Sequence, residues 1–106
     1  MAELLSGTLD LMILRVLNSG PLHGFGIGEQ ITVLSKGALT VEEGSLYPAL
    51  YRMEAKGWIA PEWGVSERGR KAKIYSLTKE GRKQLVNERE SWSKMAVAIG
   101  DVLKNA

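Results

Sequence analysis

The spacing of apolar residues changes period twice along this chain, and that change restricts the folds open to it. Up to Gly57 the spacing is helical; from Ile59 to Leu77 it is two; after Thr78 it is helical again. In the first stretch Leu9, Met12, Ile13, Val16 and Leu17 form one stripe, while Leu11 and Leu14 occupy other faces. A helix apolar nearly all round lies at the centre of a fold or between two subunits. Thr8 or Ser6 is expected to cap it, and Gly20-Pro21 to stop it. A second helix is expected over residues 24–35, with Ile27, Ile31 and Leu34 inward and Gly37 as its stop.

A third helix is expected over residues 41–56. Thr40-Val41-Glu42-Glu43 reads as a capping box, Leu46, Leu50 and Met53 as the inward stripe, and Gly57 as the end. Pro48 conflicts with that start, because an interior proline removes a hydrogen bond. Either the helix kinks at Pro48, or it begins at Ser45 and Pro48 lies in its first turn. Beyond Gly57, Ile59, Pro61 and Trp63 alternate with Ala60, Glu62 and Gly64, and Tyr75 and Leu77 with Ile74 and Ser76. Two such runs around a polar, Gly-containing turn read as a β-hairpin. A lone hairpin is marginal, so Trp63, Tyr75 and Leu77 are expected to pack it on the helices.

The last helix is expected to start at the N-cap Thr78 and to continue towards Asn105. Leu85, Trp92, Met95, Ala96, Ile99, Val102 and Leu103 share its stripe. A helix this long outruns what a three-helix core can cover, and its surplus apolar surface predicts a partner helix. Leu9 and Ile13 on the first helix, together with that stripe, are the expected homodimer interface.

Composition removes several function classes. The 106 residues contain no cysteine, which excludes a disulfide framework, thiolate catalysis and a cysteine-built zinc site. A cytoplasmic protein is the plain expectation. The run Leu11 to Leu14 ends at Arg15, far short of the ~18 apolar residues of a membrane span. The start, Met1-Ala2-Glu3, has no basic flank, so no secretory signal is expected. The single histidine, His23, sits in a Pro-Leu-His-Gly turn and reads as a capping or packing residue rather than a base. Gly24-Phe25-Gly26-Ile27-Gly28 lacks the spacing, the preceding strand and the lysine of a nucleotide-binding loop. No catalytic constellation assembles, and neither an enzyme, a metal nor a cofactor is expected.

Charge is unevenly placed. Residues 66–83 hold seven Lys/Arg against two Asp/Glu, whereas residues 1–65 hold four against seven. The basic stretch is concentrated at the hairpin tip in Arg68, Arg70, Lys71 and Lys73. A patch this basic on a nearly neutral chain is suited to a polyanion. The order helix, helix, short turn, helix, basic hairpin is that of a winged helix-turn-helix. The third helix would then enter the major groove, with Ser45, Tyr47, Pro48 and Arg52 outward: a hydroxyl, an aromatic with a polar tip, an apolar contact for thymine methyls and a bidentate donor. The hairpin would be the wing, with its cations on phosphates or in the adjacent minor groove. The fold class expected is mainly α with a small β-hairpin. Residues 1–78 form the winged helix-turn-helix DNA-binding domain and residues 79–106 a C-terminal dimerisation helix.

Across nearly the whole chain the sequence resembles the PadR family of bacterial transcription regulators. The strings that carry the resemblance are Gly7-Thr8-Leu9-Asp10-Leu11-Met12-Ile13-Leu14, Gly20-Pro21-Leu22-His23-Gly24-Phe25-Gly26-Ile27, Gly44-Ser45-Leu46-Tyr47-Pro48-Ala49-Leu50, Met53-Glu54-Ala55-Lys56-Gly57-Trp58-Ile59, Glu62-Trp63-Gly64 and Tyr75-Ser76-Leu77-Thr78-Lys79-Glu80-Gly81-Arg82. The resemblance implies a homodimeric repressor of transcription, released by a small molecule, that binds double-stranded DNA through a winged helix. It favours the longer third helix, with Ser45, Tyr47 and Pro48 at the DNA. Phe25 stands where the family often has tyrosine, which removes a hydroxyl suited to phosphate. The single C-terminal helix looks like the branch with a small tail. There the resemblance implies that these helices cross in the dimer, and that Trp92 and its mate hold a flat aromatic effector by stacking; the alternative is that Trp92 simply fills the dimer core. A second reading of the whole chain is a dimeric adaptor that uses its winged helix to bind protein rather than DNA.

Overall fold

The computed structural model describes residues 2–65 and 67–106, with side chains from Gly7 onward. Helix α1 (Ala2–Asn18) leads into a two-residue strand β1 (Leu22–His23) and helix α2 (Gly24–Leu34). Helix α3 (Glu43–Ala55) is followed by strands β2 (Ile59–Val65) and β3 (Lys71–Leu77), and the chain ends in helix α4 (Lys79–Asn105). The fold is thus mostly helical, with a small antiparallel sheet ordered β1-β3-β2.

The core lies where α1, α2 and α3 meet the base of the sheet. Ile13, Leu14, Ile27, Leu50, Met53 and Ile59 are sealed in it, and Tyr75 brings β3 into the same cluster. The inward stripe expected of α3 is buried; of the α1 stripe Ile13, Val16 and Leu17 are buried and Leu9 and Met12 only partly, while Leu14, expected on another face, is buried as well. In α2, Ile27 and Ile31 are buried but Leu34 is exposed. Two residues assigned to the dimer seam belong to this core instead. Ile13 is 0% exposed and Leu85 is also buried, so neither has surface to offer a second chain.

Helix boundaries follow local chemistry, and not always the expected residue. α1 begins upstream of both Ser6 and Thr8 and runs through them, so neither is its cap. α3 is capped at Glu42 in extended conformation, not at Thr40, and no side chain caps it. The Glu42 carbonyl receives the amides of Ser45 and Leu46 at 3.0 and 2.9 Å. Starting at Glu43, α3 includes Ser45, Tyr47 and Pro48, and Pro48 lies beyond its first turn. The amide that Pro48 lacks would have met the Gly44 carbonyl. Thr78 caps α4 as expected, accepting from the Gly81 amide at 3.0 Å.

Strand β2 pairs with β3 from Ile59↔Leu77 to Val65↔Lys71, a longer hairpin than the alternation alone defined. β1 adds a third strand, with Leu22 opposite Tyr75 and His23 opposite Ile74. Tyr75 and Leu77 pack inward, but Trp63 does not. It is 64% exposed. α4 spans 27 residues, and every residue from 89 to 106 is exposed. The molecule is accordingly elongated, 53 × 29 × 22 Å. No helix among the described residues is long and apolar enough to cross a membrane.

Candidate nucleic-acid interface

One cleft of about 560 Å³ opens between the start of α2, the outer face of α3 and the wing. Its floor is aromatic, formed by Phe25, Tyr47, Tyr51 and Tyr75, with Trp63 on the wing side. Its charge comes mostly from the wing: Arg68, Arg70, Lys71 and Lys73, against the carboxylates of Glu29 and Glu67.

The start of α2 is set by His23. Its Nδ1 accepts from the Gly26 amide at 3.0 Å, so the only histidine is spent on a helix cap. Tyr47 is half-buried and lies flat against Gly24. A Cβ at Gly24 would stand 2.9 Å from Tyr47 Cε1. Glycine there lets the tyrosine ring reach the α2 N-terminus. Ser45 and Pro48 are exposed on α3. Of these three side chains, Tyr47 lines the cleft together with the wing cations.

Arg52 and Lys73 differ from that expectation. The Arg52 guanidinium donates to Asp10 Oδ1 at 2.7 Å, tying α3 to α1 across 42 positions of sequence. The contact fastens α3 to α1 and leaves the Arg52 side chain 41% exposed. Asp10 is buried, and burial raises its carboxyl above the ordinary value of 3.8, against the opposing pull of Arg52. Lys73 Nζ stands 2.9 Å from Glu54 Oε1. Arg68 lies over the Phe25 ring at 5.6 Å and Lys71 over Trp63 at 5.6 Å. Arg70 makes no ion pair among the described residues.

Sequence reasoning did not assign Tyr51 or Trp63 to this surface, and it met Phe25 only as a missing tyrosine hydroxyl. The alternation of β2 did identify the face Trp63 shares, since Pro61 opposes Tyr75 and Trp63 opposes Lys73. It carried no information on where α3 stops covering that face. Asp10 left a signal: a carboxylate inside the apolar run of α1 needs a partner.

On the far side of the molecule, Trp92 is 51% exposed and lines two apolar grooves. One, of about 680 Å³, runs between α1, α2 and α4 past Met12, Leu34 and Leu39. The other, of about 530 Å³, runs along α4 past Met95, Ala96, Ile99 and Leu103. Leu9 is partly buried at the core's edge, and Val102 is exposed.

A three-helix core, a reading helix after a short turn and a basic two-stranded wing define a winged helix-turn-helix of the DNA-binding class. Residues 13–87 match the transcriptional regulator PadR-like family. A transcriptional regulator of Mycobacterium tuberculosis is 31% identical over 96 residues, covering 91% of this chain and 86% of its own. The structure of a transcriptional regulator from Clostridium thermocellum superposes with TM-score 0.84 at 26% identity, covering 93% of this chain and 96% of that one. A PadR-like transcriptional regulator from Bacillus cereus gives TM-score 0.79 at 27% identity, covering 98% and 99%. The chain belongs to the PadR-like family of transcriptional regulators.

Proposed function

We propose that this regulator binds an inverted-repeat operator as a homodimer and represses transcription until a small molecule releases it. The observation that carries the reading is the cationic cleft beside the exposed N-terminal half of α3. Ser45, Tyr47 and Pro48 read base edges from that half-helix. Arg68, Arg70 and Lys71 add affinity through phosphates, independent of sequence. Arg52 fastens α3 to α1 through Asp10. Two copies join through the exposed stripe of α4, where Trp92, Met95, Ala96, Ile99, Val102 and Leu103 lack cover from their own chain, with Leu9 at the rim. The joined helices set the distance between two reading heads. A flat aromatic effector stacked on Trp92 changes that distance and favours the state that fits DNA less well.

The four cations at the wing favour DNA over a protein-binding adaptor, which has less need of clustered positive charge. Titration of duplex DNA at several salt concentrations tests the reading. Replacing Arg70 and Lys71 by alanine lowers affinity on every sequence and flattens the salt dependence. An unchanged slope would remove the wing from the interface.

A further inference from the structure

Lys73 occupies the joint where the wing leaves the core. Its Nζ lies 2.9 Å from Glu54 Oε1 and 5.5 and 5.7 Å from the ring centres of Tyr51 and Tyr75. Glu54 and Tyr51 belong to α3, Tyr75 to β3, so one ammonium is shared between the reading helix and the wing. Glu54 Oε1 is shut off from solvent, and Lys73 supplies its counter-charge. That pairing holds the Lys73 ammonium above the ordinary lysine range, opposed by partial burial. Two residues before Glu54, Arg52 fastens the same stretch of α3 to α1 through Asp10. The end of α3 is thus gripped from the scaffold on one side and from the wing on the other. Beyond Lys73 the strand carries Lys71, with Arg70 in the turn before it, and no other ion pair among the described residues fastens this end of the wing to α3.

We propose that Lys73 is a positioning residue for DNA binding: with Glu54 it fixes the wing at the angle to α3 that lets both reach one duplex, and it does not neutralise a phosphate. The proposal rests on the DNA-binding reading above and divides the basic cluster by task. Arg68, Arg70 and Lys71 meet the polyanion; Lys73 sets where they stand. A half-buried pair loses more by having one partner removed than a surface pair does, because the remaining charge stays partly desolvated.

The competing role, a phosphate-binding lysine held in reserve by Glu54, predicts the opposite sign for one substitution. Glu54→Gln removes a negative charge near the DNA and frees the lysine, so a reserve cation would bind DNA more tightly. A positioning pair would bind it more weakly. The experiment titrates a selected duplex with the full chain at four salt concentrations, for the wild type, Glu54→Gln, Lys73→Met, the double variant, Lys73→Arg and Arg70→Ala.

Both Glu54→Gln and Lys73→Met are expected to lose affinity by about tenfold, and the double variant no more than either, since the pair acts as a unit. Lys73→Met keeps the wild-type slope of log affinity against log salt, whereas Arg70→Ala flattens it by about 0.9 for each phosphate no longer neutralised. Lys73→Arg keeps the charge and restores binding, which separates a broken pairing from a misfolded wing. Tighter binding by Glu54→Gln, or a slope flattened by Lys73→Met, overturns the positioning role and leaves the DNA reading intact. A wild-type chain that binds no duplex overturns both.

Discussion

At the residue scale, two helix ends built on the same pattern show what a single side chain contributes. α3 ends with Gly57 in the left-handed region at φ 77°, its amide on the Glu54 carbonyl and the Trp58 amide on Met53. α2 ends the same way, with the Lys36 amide on Val33 and the Gly37 amide on Thr32. Here two successive residues are left-handed, Lys36 at φ 56° and Gly37 at φ 82°, and the first of them carries a side chain. The glycine expected to stop α2 stands one residue past the place that needs it most. Lys36→Gly should therefore stabilise the fold by about 0.5–1 kcal/mol, read as a higher denaturant midpoint at unchanged slope. Asp10 gives a pH prediction. Its folded carboxyl binds its proton more tightly than the unfolded chain does, because burial outweighs Arg52. Its contribution to stability is thus greatest below the ordinary value of 3.8 and is lost as pH rises through the raised one. Asp10→Asn keeps an acceptor for Arg52 without the titration, so its stability should fall less than the wild type's as pH rises above about 4. Urea unfolding across that range measures the difference.

At the element scale, the joint between wing and α4 is closely packed. The Thr78 hydroxyl lies 2.7 Å from the Gly57 carbonyl and 2.9 Å from that of Trp58, while accepting from the Gly81 amide. Gly81 then passes so close to the Trp58 carbonyl that an added Cβ would overlap it. Backbone cannot yield there as a flexible side chain can. Gly81→Ala should cost about 2–3 kcal/mol in thermal or chemical unfolding, more than any exposed glycine in the chain. Much at this scale was legible in the sequence. The switch from helical spacing to alternation marked the wing, and Thr78 marked the start of α4. What stayed hidden has physical reasons. β1 has two residues, too few for any period, and owes its existence to the β3 edge it pairs with. α3 is capped at Glu42 because the Glu42 carbonyl, rather than the Thr40 hydroxyl, receives the first helical amides. Trp63 alternates like a core residue yet is exposed at the cleft, and that has no trace in local spacing.

At the scale of the whole molecule, what the helices leave uncovered directs the functional reading. The exposed stripe of α4 was legible as surplus apolar surface, because its length alone exceeded the core. The division of that stripe was not. Ile13 and Leu85 carry the same periodic signal as Met95 and Ile99, but only packing shows that the first two are already enclosed. Met95→Glu therefore falls on surface that its own chain does not need. It should leave the helical signal of the domain in place, convert the proposed dimer to a single chain in sedimentation, remove the concentration dependence of thermal unfolding, and weaken operator binding by well over tenfold through loss of the second head. The basic cluster was likewise legible as charge, but not as two tasks, since the Glu54–Lys73 pair joins residues far apart in sequence.

The central claim, that paired reading helices and wings recognise duplex DNA, is tested most directly by selecting bound duplexes from a random library with the wild-type chain. The expected result is a two-fold symmetric consensus whose half-sites lie about one helical turn, or a multiple of it, apart. A library that emerges unenriched at modest ionic strength, or a consensus without symmetry, would contradict it.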